Sequence, residues 1–229
     1  MDAENKNGPL KGLIVIDLTR VLAGPYASMI LSDLGARIIK VEPPLGDDSR
    51  EFSPFVNNQS AYFASLNREK ESIKLNLKSK KDKLIFDELI KNADILLENY
   101  KPGTMEKLGY GYKSLTKKHP NLIYASCSGF GQTGPWASKP AYDMIVQGMG
   151  GLMSVTGHEG QEPVRVGTSI GDITAGLFTT IGILASLIDK NKHGNGQMVD
   201  VSMLDCQIAI LENAIARYFA TGESPKPGG

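Results

Sequence analysis

Short apolar runs alternate along the chain with stretches of helical spacing, and glycine and proline punctuate them. Residues 12–18 (Gly-Leu-Ile-Val-Ile-Asp-Leu) are one such run, bounded by turn-prone residues, and predict a buried strand. Gly24-Pro25 follows, and residues 26–34 read as a helix ended by Gly35. Residues 37–41 predict a second strand, 42–48 a loop, and 72–77 a third strand that alternates apolar and polar positions. Helical spacing over 80–92 leads into a buried strand at 93–97. Lys101-Pro102-Gly103 then breaks the chain before a short helix. Residues 122–127 are again strand-like and run into the glycine-rich stretch 128–134. Strands and helices in this alternation predict an α/β fold, a mainly parallel sheet with helices on its faces. Ligands of such sheets sit at the carboxyl ends of the strands, where loops meet helix N-termini.

The longest apolar stretch, residues 173–188, contains Thr174, Thr179, Thr180 and Ser186 together with Gly176 and Gly182. That length and composition predict a buried helix and no membrane span. At 229 residues the chain is long enough to bury a sizeable core. Lys and Arg total 25, as do Asp and Glu, so the formal net charge is zero. A nucleic-acid binder held by bulk charge is therefore not expected, and an anionic ligand needs a local basic cluster. Two cysteines, Cys127 and Cys206, are too few for a disulfide scaffold and point to a reducing compartment. The polar start, with Asp2 and Glu4, lacks the marks of a secretory signal or transit peptide. Cytoplasmic location is the expectation, or mitochondrial if a leader is missing.

Three features carry candidate chemistry. Gly129-Phe-Gly-Gln-Thr-Gly134 fits the dinucleotide pattern GxGxxG and follows a predicted strand. Pro135-Trp136 and Lys139-Pro140 come next, so a helix cannot readily start there, and a tight loop near a ligand is the better reading. Asp172 would stand at or near the N-terminus of the long apolar helix. An aspartate there is most often a cap. It can also be a carboxylate kept ionised by the helix dipole and free to attack a thioester. Spacing alone favours the cap and leaves both roles open. Lys78, Lys101, Lys107 and Lys139 fall at or near loops and helix starts, and are either solvated surface lysines or a set that holds the phosphates of a nucleotide-bearing ligand. His119, His158 and His193 have no partner spacing for a metal or a triad, and no HExxH, P-loop or CxxC occurs.

Several segments together resemble the class III CoA-transferases. They begin with the opening from Pro9 to Pro25 and Leu34-Gly-Ala-Arg-Ile-Ile-Lys-Val-Glu-Pro43. Leu66-Asn-Arg68, Lys70-Glu-Ser-Ile73 and Asp94-Ile-Leu-Leu-Glu-Asn-Tyr-Lys-Pro-Gly103 follow, then Gly129 to Pro135, Lys139-Pro-Ala-Tyr-Asp143 and Gly171-Asp172. Gly194-Asn-Gly-Gln197 and Val201-Ser-Met-Leu-Asp205 complete the series. The order is the family's own across nearly the whole chain, and the wording is nearest to the succinate/glutarate-type transferases of dicarboxylic acids. The resemblance implies a Rossmann-like large domain, interlocked homodimers and no permanently bound cofactor, with coenzyme A thioesters as substrates. It implies that Asp172 is the nucleophile, passing through an aspartyl anhydride and an aspartyl-CoA thioester so that CoA moves to a small, dicarboxylic acid.

Positions expected to contact CoA carry over in the same way. Leu22 and Ala23 match the loop after the first strand, Leu75 and Lys78 the adenine and phosphate side, and Asn99, Tyr100 and Lys101 the loop after the 93–97 strand. Lys107 stands where the family usually has a phosphate-binding Arg. Lys139 and Tyr142 fall near the pantetheine and nucleophile, and Met203 would line the thioester pocket. Some positions depart from the family. Leu22 replaces the Gln of the formyl-CoA transferases, which argues against an oxalate or formyl substrate, and Pro43 replaces an Arg. The family's racemases need a His where this chain has Tyr142, and a tyrosine is a poor base near neutral pH. Pro225-Lys-Pro-Gly-Gly229 reads as the middle of a loop. Residues 1–229 are thus expected to be the N-terminal part of the large domain, without the small domain and C-terminal segment. A racemase-like enzyme and a truncated, non-catalytic CoA-binding protein are the competing readings.

Overall fold

The computed structural model describes residues 7–227; the acids Asp2 and Glu4 of the polar start and the final glycines Gly228 and Gly229 lie outside it. The elements in chain order are β1 (Ile14–Asp17), α1 (Ala23–Asp33), β2 (Arg37–Glu42), β3 (Phe55–Val56), β4 (Gln59–Ser60), α2 (Ala61–Asn67) and β5 (Glu71–Lys74). Then come α3 (Lys80–Lys91), β6 (Ile95–Glu98), α4 (Thr104–Leu108), α5 (Tyr112–Lys118), β7 (Ile123–Ser128) and α6 (Asp143–Met149). The long α7 (Ile170–His193), β8 (Met198–Ser202), α8 (Met203–Ala209) and α9 (Glu212–Thr221) complete the fold.

Six strands form one sheet in the order β5-β2-β1-β6-β7-β8, and every pairing in it is parallel. β3 and β4 form a separate antiparallel hairpin. The strand order reverses between β1 and β6, which is the doubly wound arrangement. Successive side chains of a strand point to opposite faces, so each central strand feeds two cores. Ile16, Leu96 and Tyr124 meet Phe86 and Ile90 of α3 and Leu115 of α5 on one face. Val15, Leu97 and Ala125 meet Ala27 and Leu31 of α1 and Ile183 of α7 on the other. Helices therefore cover both faces.

α1 begins at Ala23, so Gly24-Pro25 lies inside its first turn and not before it. Proline is tolerated there because its missing N–H has no partner in a first turn. α7 runs from Ile170 to a left-handed Gly194, longer at both ends than its apolar stretch. By length and composition alone its 24 residues could span a membrane. In the fold it packs along α1, α8, β7 and β8, and Thr174, Thr179, Thr180 and Ser186 lie on its buried side. Each threonine hydroxyl is satisfied by a carbonyl one turn earlier. Cys127 and Cys206 are buried free thiols.

Candidate active site

The crevice at a topological switch point is bounded by the loops that leave the two strands on either side of it. Here these are the β1–α1 loop, residues 18–22, and the β6–α4 loop, residues 99–103. They are tied together: the Arg20 N–H donates to Asn99 Oδ1 (3.0 Å), and Asn99 Nδ2 donates back to the Arg20 carbonyl (2.8 Å). Glu98, buried under the second loop, accepts the Tyr100 N–H at 2.7 Å. Burial pushes the Glu98 carboxyl up to about 7, against the opposing hydrogen bonds of Ser126 and the Tyr100 backbone.

A cavity of about 230 Å³ opens above these loops. Leu22, Ala23, Asn99, Tyr100 and Lys101 line it from the switch point, and Lys139, Tyr142, Asp172 and Met203 close it. A second cavity, about 410 Å³, lies beside it over the ends of β1, β2 and β5, and is lined by Leu75 and Lys78. Tyr100 belongs to both walls. The expected site residues other than Lys107 line one or the other of these two cavities. Lys107 is exposed on α4 and lines neither cavity, although Thr104 and Leu108 of that helix do. Lys78, Lys101 and Lys139 contribute exposed side chains, with the Lys139 ammonium 5.2 Å above the Trp136 ring.

Asp172 is the third residue of α7, and the helix is preceded by Ser169 at the cap position. Its carboxylate does not serve as the N-cap. It faces the start of α1, where the Ala23 N–H favours its ionised form. Helix packing makes this approach possible. A side chain at Gly176, one turn beyond Asp172, would put its Cβ 2.7 Å from the Ala23 carbonyl oxygen. Glycine there lets α7 settle onto the start of α1 and brings the Asp172 turn to the Ala23 amide. A second carboxylate, Asp143, is buried next to this turn; it accepts the Gly171 N–H at 2.8 Å and Gln147 Nε2 at 2.8 Å. Gly171 permits that approach, since a Cβ would lie 3.0 Å from Asp143 Oδ1. Burial and the Asp143 charge push the Asp172 carboxyl up to about 7, and the Ala23 N–H opposes them. Tyr62 of α2 and Cys127 of β7 also feel the Asp172 charge.

The glycine-rich stretch is a loop, and no helix starts directly after it. Gly131 and Gly134 are left-handed, at φ +78° and +92°. The Gln132 N–H is held by Asp200 of β8 at 3.0 Å, and Gln132 Nε2 by Ser126 Oγ at 2.7 Å. A Cβ at Gly129 would meet the Ala141 side chain at 2.4 Å, so the loop lies against the 139–142 segment that lines the cavity. This is a ligand-side loop and not a dinucleotide turn.

Sequence reasoning passed over three contributors. Arg20 and Cys127 line the cavity, and Val21 turns the loop with a φ of 67°. Asp47, distant in sequence, accepts the Val21 N–H at 3.2 Å. The switch-point topology could have flagged Arg20, but no sequence pattern marks a left-handed valine.

Comparison with known proteins agrees with this geometry. The model of CoA-transferase family III matches residues 10–229. The chain is 52% identical over 95% of its length to an acetyl-CoA:oxalate CoA-transferase of Acetobacter aceti, and 44% identical over 96% to a succinyl-CoA:glutarate CoA-transferase of Mus musculus. It covers 57% and 51% of those two proteins, so it spans a little over half the length of the curated relatives it matches. The crystal structure of a CAIB/BAIF family protein from Brucella suis superposes with a TM-score of 0.94 at 42% identity, covering 98% of this chain and 61% of that one. With the family model matched over residues 10–229 of a doubly wound fold, this chain belongs to CoA-transferase family III.

Proposed function

We propose that this chain carries the acyl-CoA site of a CoA-transferase and that Asp172 is its nucleophile. The observation that carries the reading is the placement of the Asp172 carboxylate: at the wall of the switch-point cavity, in the first turn of α7 and beside Ala23 at the start of α1. A residue that served only as the helix cap would stand at the position of Ser169, before that turn.

In this reading the ionised Asp172 attacks the thioester carbonyl of an acyl-CoA. The C–S bond breaks, leaving an aspartyl anhydride and the CoA thiolate. The thiolate attacks the aspartyl carbonyl, releases the donor carboxylate and forms an aspartyl-CoA thioester. The incoming carboxylate displaces the thiolate from that carbonyl, giving a second anhydride. The thiolate then attacks the acyl carbonyl of the new acid, which regenerates Asp172 and yields the new acyl-CoA. Activated acyl groups are exchanged at similar energy, so no ATP is needed. The protein must hold CoA and keep water from the anhydrides. Leu75 and Lys78 would meet the nucleotide end of CoA in the larger cavity, with Tyr100 as the shared wall, while Lys139 and Tyr142 flank the pantetheine arm and Met203 the thioester.

The raised Asp172 carboxyl fits a group that must shed its proton and water before it attacks. Tyr142, at the position where the family's racemases need a histidine, stands against racemisation. The relatives' names support a small acid of the dicarboxylic class as acceptor. Residues 1–229 would supply the CoA-binding part of the large domain, and the active form would be a homodimer.

The test incubates the chain with succinyl-CoA and a pool of free acids, among them glutarate, malate and oxalate, and reads every new acyl-CoA by mass spectrometry. The expected result is a new acyl-CoA that disappears in Asp172→Ala. Turnover that survives the substitution would refute the nucleophile assignment.

A further inference from the structure

We propose that Lys40 and Asp47 are positioning residues that clamp the strained turn at residues 19–22 and so keep the Ala23 N–H facing the Asp172 carboxylate; the inference rests on the reading of Asp172 as acyl carrier.

The turn does not hold itself. Val21 has a φ of 67°. A β-branched side chain is disfavoured in that region, and such a conformation persists only where the surroundings over-determine it. Three consecutive residues are tethered from outside. Lys40 Nζ donates to the Thr19 carbonyl at 2.6 Å. Asn99 grips Arg20 through both its amide groups. Asp47 Oδ1 accepts the Val21 N–H at 3.2 Å. The first and third tethers are one unit, because Lys40 Nζ and Asp47 Oδ2 form an ion pair at 2.8 Å with both side chains 1% exposed. Two residues after Val21 begins α1, whose first residue, Ala23, shares the cavity wall with Asp172 and packs against α7 at Gly176; its N–H favours the ionised carboxylate.

The clamp is itself fixed at both ends. Lys40 sits in the sheet, in register with Asp17 of β1. Asp47 is held by Ser49, which donates through N–H (2.9 Å) and Oγ (2.7 Å). The Asp47 N–H donates to Glu42 Oε2 at 2.9 Å, and Arg50 grips Glu42 with two bonds. Buried ion pairs are often replaceable by apolar residues without loss of stability, so core packing alone does not call for this one. Its two ends meet the backbone at the turn that leads to Ala23. Neither side chain lines the cavity that contains Asp172. Both therefore act through the backbone.

The test replaces the pair together, Lys40→Met with Asp47→Leu, so that no buried charge is left without a partner. Parent, pair variant and Asp172→Asn are compared for CoA affinity, for Asp172-dependent acyl transfer, for the Ala23 amide resonance and for the titration of a ¹³C-labelled Asp172 carboxyl. In the pair variant we expect CoA affinity within about threefold of the parent and transfer at least about tenfold slower, the pattern of a lost catalytic contact rather than lost binding. The Ala23 resonance moves, and Asp172 titrates higher than in the parent. Adding Val21→Gly, which reaches positive φ without a clamp, restores part of the transfer. A pair variant with parental transfer, an unmoved Ala23 resonance and an unmoved Asp172 titration overturns the proposal. If the parent shows no Asp172-dependent transfer, the acyl-carrier reading fails on its own, and the two resonance signals still decide the clamp. If the pair variant does not fold, Asp47→Glu, which keeps the charge and moves the acceptor, is read by the same signals with the same outcomes.

Discussion

Replacing Asp172 with asparagine should stabilise the folded chain at alkaline pH and leave it unchanged in acid. The carboxyl is pushed from 3.8 up to about 7 by burial and by the neighbouring Asp143 charge. A carboxyl whose folded value is raised favours folding only while protonated. That contribution is whole below the unfolded value near 3.8, and is lost as pH rises through about 7. At about 1.4 kcal/mol per unit the full loss is about 4 kcal/mol, and solvent access to the partly exposed group lowers the expected effect to about 2 kcal/mol. Asparagine has nearly the same shape, can accept the Ala23 N–H and has no proton to lose. Urea unfolding of the two chains at a series of pH values between about 4 and 8 measures the difference. The curves should coincide at the acid end, and the asparagine variant should gain steadily towards pH 8. A gap that does not change with pH, or an asparagine variant less stable than the parent at pH 8, would refute the reasoning. The expected trade of stability for a reactive group is a general feature of active sites.

Other consequences can be measured on the same material. Gly176→Ala forces a Cβ to within 2.7 Å of the Ala23 carbonyl, so it should cost about 1–3 kcal/mol in urea unfolding and slow acyl transfer as α7 moves off α1. An unchanged midpoint would mean that the two helices do not meet there. Burial pushes the thiols of Cys127 and Cys206 up to about 12; both should resist a disulfide reagent in the native chain and react on unfolding. Lys139→Ala should weaken CoA binding by about three- to tenfold, with a smaller effect at high salt, because an exposed ammonium acts as a screened point charge. Equal affinity at low salt would remove Lys139 from the phosphate- or pantetheine-binding set.

The centre of the sheet was legible because β1 and β6 carry short apolar runs, Ile-Val-Ile and Ile-Leu-Leu, each followed by an acidic residue. The expected strand at 37–41 is β2, and the one at 122–127 is β7, one residue displaced. β8 escaped notice. Its Met-Val-Asp-Val-Ser lies at the sheet edge, with an exposed Asp200, and lacks the continuous apolar signature of a strand buried on both faces. Short α2 and α6 and the two-residue strands β3 and β4 are set by tertiary contacts more than by pattern. Asp172 was placed at a helix start by spacing, but spacing could not separate cap from nucleophile. The proposal that it is the nucleophile draws on its place at the cavity wall, where α7 meets the start of α1 across Gly176. The residues of the two cavities followed from the family resemblance, whereas Arg20, Val21 and Asp47 come from backbone geometry. Lys107 is exposed on α4, beside Thr104 and Leu108, which line the larger cavity.

The most direct test of the account is to trap the activated Asp172. Incubating the chain with succinyl-CoA and hydroxylamine, then mapping peptides by mass spectrometry, should find a hydroxamate on Asp172, and no label in the Asp172→Asn chain. A chain that binds CoA yet carries no label at Asp172, or carries it on Asp143 instead, would contradict the account.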